Sequence, residues 1–132
     1  MTAPRLLVPL SFALLSACAQ NLTQPVELDA ESECPIRLQV GQALTLTLPS
    51  NPSTGYRWRV ENPAANVLRS LGPEVYSAPD AEELIGSAGM STWRFAAKAA
   101  GEGRMIIVYQ QPWAAQVLPI QTFDCQIKVR GG

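Results

Sequence analysis

The sequence predicts an all-β protein, an immunoglobulin-like β-sandwich of seven or eight strands. Two observations predict it. From Ile36 to Arg130 most apolar residues alternate with polar ones, the period of a half-buried strand. The alternating runs are also short, and Gly, Pro and Asn separate them at the spacing of a sandwich. The chain has 132 residues, which points to one domain.

The N-terminus stands apart from that pattern. "MTAPRLLVPLSFALLSAC" carries one cation, Arg5, and then an apolar run from Leu6 to Leu15. Such a segment reads as a secretory signal and is too short for a spanning helix. Leu15-Ser16-Ala17-Cys18 resembles a bacterial lipobox, which implies cleavage after residue 17 and a diacylglyceryl group on Cys18. The other reading is an ordinary signal peptide cut near Ala17 or Ala19. Lipid chains on Cys18 would hold the protein on a membrane. Ala19, where Asp is absent, looks more like outer-membrane than inner-membrane sorting. The expected place is therefore the periplasmic side of a bacterial cell envelope. Residues 18–33 are acidic and poor in apolar side chains, and they read as a flexible tether. The domain is then expected over 34–132, about 100 residues and enough for one modest core.

Along the domain, Ile36–Val40 and Gln42–Leu48 read as the first strands, with Leu44, Leu46 and Leu48 on one face. Tyr56–Val60 follows, with Arg57 and Arg59 outward. Val67–Leu71 and Glu74–Ser77 are short candidates split by Gly72-Pro73. Ala78 to Gly89 reads as a long loop in which "DAEELI" could form one helical turn. Ser91–Ala99 places Trp93, Phe95 and Ala97 inward. Arg104–Gln110 is apolar on both faces, as a central strand is, and Ile120–Arg130 closes the domain.

Composition excludes several kinds of chemistry. The chain has no His, so it offers neither an imidazole base nor a His metal ligand, and no metal or cofactor is expected. A formal charge of −1, or −2 without Arg5, is no footprint for nucleic acid. Asp124 alternates outward, and Glu82 and Glu83 are neighbours in a loop, so none of them reads as half of a catalytic pair. Gly86-Ser87-Ala88-Gly89 precedes no helix and so lacks the geometry of a phosphate site. Cys34 and Cys125 lie on the apolar faces of strands at opposite ends of the domain. In an exported protein they read as a disulfide, with buried free thiols as the alternative.

Three long loops remain. Pro49 to Gly55 is about seven residues and uncharged, where a two-residue hairpin turn would suffice. Pro52 fixes its own φ and restrains Asn51. Ser53 and Thr54 offer side-chain hydrogen bonds to nearby backbone, and Gly55 accepts positive φ. This is either a well-made turn or a preorganised binding tip. Gln111 to Pro119 carries Trp113 behind Pro112; a Trp there either anchors a partner or folds over the end of the sandwich. Trp58 and Trp93 fit the strand alternation and read as core. If successive strands run antiparallel, the three loops share one end.

"NPSTGY", the Gly-rich stretch before an aromatic strand (Gly86 to Phe95), and "QPW" occur in the order and spacing of the chagasin family of cysteine-peptidase inhibitors, which the chain resembles from about Cys34 to Val129. The resemblance implies an immunoglobulin-like fold that reversibly blocks papain-type cysteine peptidases with a wedge of three loops, and it implies no enzyme activity. It assigns Asn51, Pro52, Ser53, Thr54 and Gly55 to the position over the catalytic Cys, with Ser53 and Thr54 at the tip. It sets Gly86, Ser87, Ala88 and Gly89 on one side of the cleft, and Gln111, Pro112 and Trp113 on the other. Three positions depart from the family pattern: Ser53 where Thr is common, Ala88 in place of a glycine, and Gln111 where Arg is usual. The competing function is a structural or adhesive immunoglobulin-like module of the cell envelope.

Overall fold

Period-two alternation becomes two facing sheets. The computed structural model describes residues 2–5, 9, 24–79 and 88–131. Within them nine strands follow in chain order: β1 (Val26–Leu28), β2 (Ile36–Gln39), β3 (Ala43–Ser50), β4 (Arg57–Pro63), β5 (Leu68–Ser70), β6 (Val75–Ser77), β7 (Gly89–Ala97), β8 (Gly101–Gln110) and β9 (Gln121–Arg130). One sheet has the order β1-β3-β7-β5, with β6 also paired to β7. The other has the order β2-β9-β8-β4. The all-β sandwich expected from the sequence is the fold observed, with one strand more than the upper count.

The two inner faces meet in one core. Leu44, Leu46, Leu48, Trp93, Phe95 and Ala97 come from the first sheet. Leu38, Trp58, Met105, Ile107, Tyr109, Phe123, Ile127 and Val129 come from the second. The antiparallel register sets Leu46 opposite Trp93 and Leu44 opposite Phe95, so their side chains share the buried face. The strand β8 lies between β9 and β4, which is why its sequence is apolar on both faces.

The extra strand corrects the expected tether. Residues 18–33 do not all stand off the domain: Val26–Leu28 runs parallel to β3, with Leu28 beside Leu46. Leu28 is 1% exposed and belongs to the core. A segment this short needs a single inward side chain to add to a sheet, so its polar, acidic surroundings mask it in the sequence. The Gln42 side chain reinforces the start of this segment by donating to the Gln24 carbonyl at 2.8 Å. Residues 10–23, Cys18 included, lie outside the described residues, as does the "DAEELI" turn.

Several strand ends also differ from expectation. The alternation puts Val40 on the inner face of the first strand, but β2 stops at Gln39 and Val40 is exposed. Gly41, at φ 92°, turns the chain there, a conformation that favours glycine. The strand β3 continues to Ser50 and β7 begins at Gly89, because Pro49 pairs with Met90 and Ser50 with Gly89. The first long loop is therefore confined to Asn51–Tyr56.

Cys34 and Cys125 form the expected disulfide, with Cα atoms 5.5 Å apart and a sequence separation of 91 residues. It ties the segment entering β2 to its parallel neighbour β9. Closing a loop of that length stabilises by about 4–5 kcal/mol in the chain-entropy description.

The position of β1 gives a direct test. Leu28→Ala is expected to destabilise the domain by roughly 2–5 kcal/mol, the range for truncating a buried leucine. Equilibrium urea unfolding measures it, and an unchanged midpoint would return the segment to the status of a tether.

Candidate functional site

Register places the loops. Ser50, the last residue of β3, pairs with Gly89, the first of β7. Arg57, the first residue of β4, pairs with Gln110, the last of β8. The chain therefore leaves β3, enters β7, enters β4 and leaves β8 at one end of the sandwich. The Asn51–Tyr56 and Gln111–Ile120 loops project from that end, and Gly89, where the chain enters β7, lies there too.

The first loop is a closed hydrogen-bonded turn. Pro52–Thr54 forms a single 3-10 turn, and Gly55 ends it in the left-handed region at φ 81°. The Asn51 carbonyl accepts from the Thr54 amide at 3.2 Å and from Thr54 Oγ1 at 2.7 Å. The Pro52 carbonyl accepts from the Gly55 amide and from Arg57 Nη1, each at 3.0 Å. Ser53 Oγ donates to Asn51 Oδ1. Ser53 and Thr54 are exposed at the tip, while Asn51, Pro52 and Gly55 are half-buried.

The loop is also fastened from below. Tyr109, on the inner face of β8, meets the Asn51 amide with its hydroxyl oxygen at 2.9 Å. Trp58 Nε1 donates to the Pro49 carbonyl at 3.0 Å. The rings of Trp58 and Tyr109 stack at 4.6 Å between centroids, and Tyr56 lies 5.4 Å from Tyr109. Sequence reasoning assigns Trp58 to the core and misses Tyr109 as a support. The signal is present: a phenol at the loop end of a core strand has a polar tip that needs a partner. The alternation shows Arg57 only as outward, yet its guanidinium folds back onto the loop carbonyls.

Trp113 lies on the third loop, on a 3-10 turn over Pro112–Ala114, and is 69% exposed. It does not fold over the end of the sandwich. Its indole edge rests on Gly55 instead. A Cβ at Gly55 would stand 2.2 Å from Trp113 Cη2, so this close approach and the positive φ both require glycine. Gln111 Nε2 donates to the Thr54 carbonyl at 3.3 Å, a second tie between the two loops. Here Gln, in place of the usual Arg, bridges within the protein and adds no charge.

Of the second loop, Gly86 and Ser87 lie outside the described residues. Ala88 is exposed and Gly89 is buried. Gly89 is needed for space: a Cβ there would meet the Ser77 carbonyl at 2.2 Å and the Tyr76 ring at 2.7 Å.

The largest depression among those formed by the described residues is elsewhere. It measures about 910 Å³, is open to solvent, and is lined by Glu31, Cys34, Glu102, Arg104, Asp124 and Gln126. Arg104 Nε donates to Asp124 Oδ1 at 2.7 Å, and this hydrogen bond holds the Asp124 carboxyl below its usual range. The pair is an exposed surface contact and offers no acid or base. Among the described residues no group of three or more His, Cys, Asp or Glu could hold a metal ion.

The chain is similar to known proteins in sequence and in fold. A family model described as "Chagasin family peptidase inhibitor I42" matches residues 37–127. Chagasin of Trypanosoma cruzi is 28% identical over 102 residues, covering 75% of this chain and 92% of its own. Amoebiasin-1 of Entamoeba histolytica is 28% identical over 97 residues, covering 72% of this chain and 89% of its own. Among solved structures, the cysteine protease inhibitor EhICP2 from Entamoeba histolytica superposes with a TM-score of 0.70 at 19% identity. That match covers 82% of this chain and 97% of the other, and it shows a shared fold.

The tie from Tyr109 to the first loop is open to measurement. Tyr109→Phe keeps the ring and removes the hydroxyl, so the domain should lose about 1 kcal/mol. Amide exchange at Asn51, Thr54 and Gly55 should accelerate while exchange at Leu46 and Ile107 follows only the global change. Exchange that stays slow in the loop would show that the hydroxyl does not fasten it.

Proposed function

Because this chain belongs to the chagasin family of peptidase inhibitors, we propose that its three-loop end enters the active-site cleft of a papain-type cysteine peptidase and blocks it reversibly. It acts as an inhibitor and not as an enzyme. The observation that carries this reading is the closed first loop. Its tip is narrow and uncharged, so it enters a cleft without burying an unpaired charge. Its form is already fixed, so little entropy is lost on binding.

The same hydrogen bonds explain resistance to cleavage. The carbonyls of Asn51, Pro52 and Thr54 accept bonds from within the protein. Attack by a thiolate needs the scissile carbonyl aligned with the nucleophile and exposed to oxyanion donors. A carbonyl held in a 3-10 turn meets neither need. Ser53 and Thr54 would face the catalytic Cys, and the Gly89 end of the second loop would flank one side of the cleft. Trp113 would pack on the other side, as an aromatic anchor in the centre of an interface does.

We also propose that Cys18 is lipidated and holds the inhibitor on the periplasmic side of the outer membrane. Support comes from Leu15-Ser16-Ala17-Cys18 and from Ala19. In a bacterial host fed radiolabelled palmitate, the chain should take up label and its Cys18→Ser variant should not. Equal labelling of the two would reject the anchor.

Inhibition itself is tested with papain. The protein should titrate the enzyme at near-stoichiometric amounts. Trp113→Ala, and separately Thr54→Asp, should each raise the inhibition constant tenfold or more, a loss of about 1.4 kcal/mol or above. Their thermal midpoints should fall only slightly, because both side chains are exposed and Thr54→Asp gives up one exposed hydrogen bond, from Oγ1 to the Asn51 carbonyl. A parent with no effect on papain or cathepsin-type enzymes would favour the structural or adhesive module instead.

A further inference from the structure

We propose that Val117, Leu118 and Ile120 form an apolar shoulder that contacts an uncharged, apolar strip beside the peptidase cleft and so selects among peptidases. The inference rests on the wedge reading above and extends it to residues outside the three motifs.

Three observations carry it. First, these side chains do not serve the fold. Leu118 is 87% exposed, and Val117 and Ile120 are also mostly in solvent. With Trp113 they make four large exposed apolar side chains within eight residues. An apolar group of that density on one loop marks an interaction surface.

Second, the shoulder is held in place. The Val117 amide donates to the Ala114 carbonyl at 2.9 Å, and the Ala114 amide to the Gln111 carbonyl at 3.0 Å. The Ile120 amide donates to the Tyr109 carbonyl at 3.1 Å and closes the loop at the strand. Pro119 restrains the residue before it. The apolar groups are thus displayed on a fixed backbone, which favours binding over collapse.

Third, the shoulder is continuous with the wedge. Val117 and Leu118 line one small depression with Tyr56, Gln110, Gln111 and Ala114. That depression joins the shoulder to the base of the tip loop and to the residue that bridges it. A body seated on Trp113 and the tip lies against the shoulder as well.

The chemistry of the occupant follows from charge. No charged residue occurs between Arg104 and Asp124. Arg57 and Arg59 line a depression with Pro112 and Ala115, but the one that Val117 and Leu118 line holds no charged residue, so charges of a partner seated on the shoulder itself would be buried without a counterion. A lipid surface fits less well, since membrane-seated segments set Lys or Arg beside their apolar residues, whereas Val117 and Leu118 line their depression with no cation.

The test uses the full chain carrying Cys18→Ser, so that no lipid confuses the measurement. Leu118→Ser/Ile120→Ser is compared with this parent against papain and two cathepsin-type endopeptidases. A control, Leu71→Ser/Val75→Ser, removes exposed apolar side chains from the β5–β6 edge. The shoulder variant should raise the inhibition constant tenfold or more for at least one enzyme, and by unequal factors across the three. The control should leave all three unchanged, and the thermal midpoints of all proteins should coincide. Unchanged constants for the shoulder variant, beside a parent that inhibits, overturn this inference and leave the wedge reading intact. A parent that inhibits none of the enzymes removes both. Two further results also overturn it: a parent dimer that the variant dissolves, and parent-only binding to phosphatidylethanolamine–phosphatidylglycerol vesicles.

Discussion

The column of rings from Trp93 through Trp58 to Tyr109 is what the rest of the site depends on. Trp93, on β7, meets Trp58 edge-on at 6.4 Å, and Trp58 stacks on Tyr109. Both members of the stacked pair then spend their polar atoms on the backbone around the tip: Trp58 on the Pro49 carbonyl, Tyr109 on the Asn51 amide. The core and the loop are thus one unit. Polar atoms at the end of a buried aromatic column need partners, and the loop backbone supplies them. Residues that contribute nothing to an interface directly therefore set how well its tip is placed.

Strand pairing does the rest. With Ser50 opposite Gly89 and Arg57 opposite Gln110, the first loop is flanked by the roots of the other two. A slip of one residue in either pair would turn Trp93 or Tyr109 out of the core. The buried alternation thus locks the loop roots in register, and the loops inherit rigidity from it. Contact between Trp113 and Gly55, and the Gln111 bond to Thr54, then join the first and third loops to each other above the sheets. Rigidity of this kind suits an inhibitor, which must occupy a cleft without adapting to it as a substrate does.

Much of this is legible in the sequence because it rests on period two. Leu44, Leu46, Trp58, Trp93 and Phe95 announce their faces, and Cys34 and Cys125 announce their bond by lying on such faces. Trp113 stands outside the alternation, which leaves it out of the core. Other features are hidden for definite reasons. Strand β1 is three residues long and needs one core side chain, below what a period can reveal. Val40 continues the alternation of its strand, but Gly41 bends the chain before Val40 can turn inward. The reach of Tyr109 to Asn51 spans 58 residues, and the contact of Trp113 with Gly55 is a tertiary meeting of two loops, so neither leaves a local trace.

The departures from the family pattern have a physical meaning beside these contacts. An Arg at position 111 brings a charge to the rim of the wedge, whereas Gln111 makes the bridge to Thr54 with a neutral amide. Ala88 takes the place of a glycine at the exposed position before Gly89. The change at position 111 thus keeps a tie between two loops while removing a charge. With no charged side chain from Met105 to Phe123, the third loop has no charge with which to attract a partner over distance. In the proposed complex its part in recognition would rest on fit and apolar burial, which act through the lifetime of the complex more than through the rate of encounter.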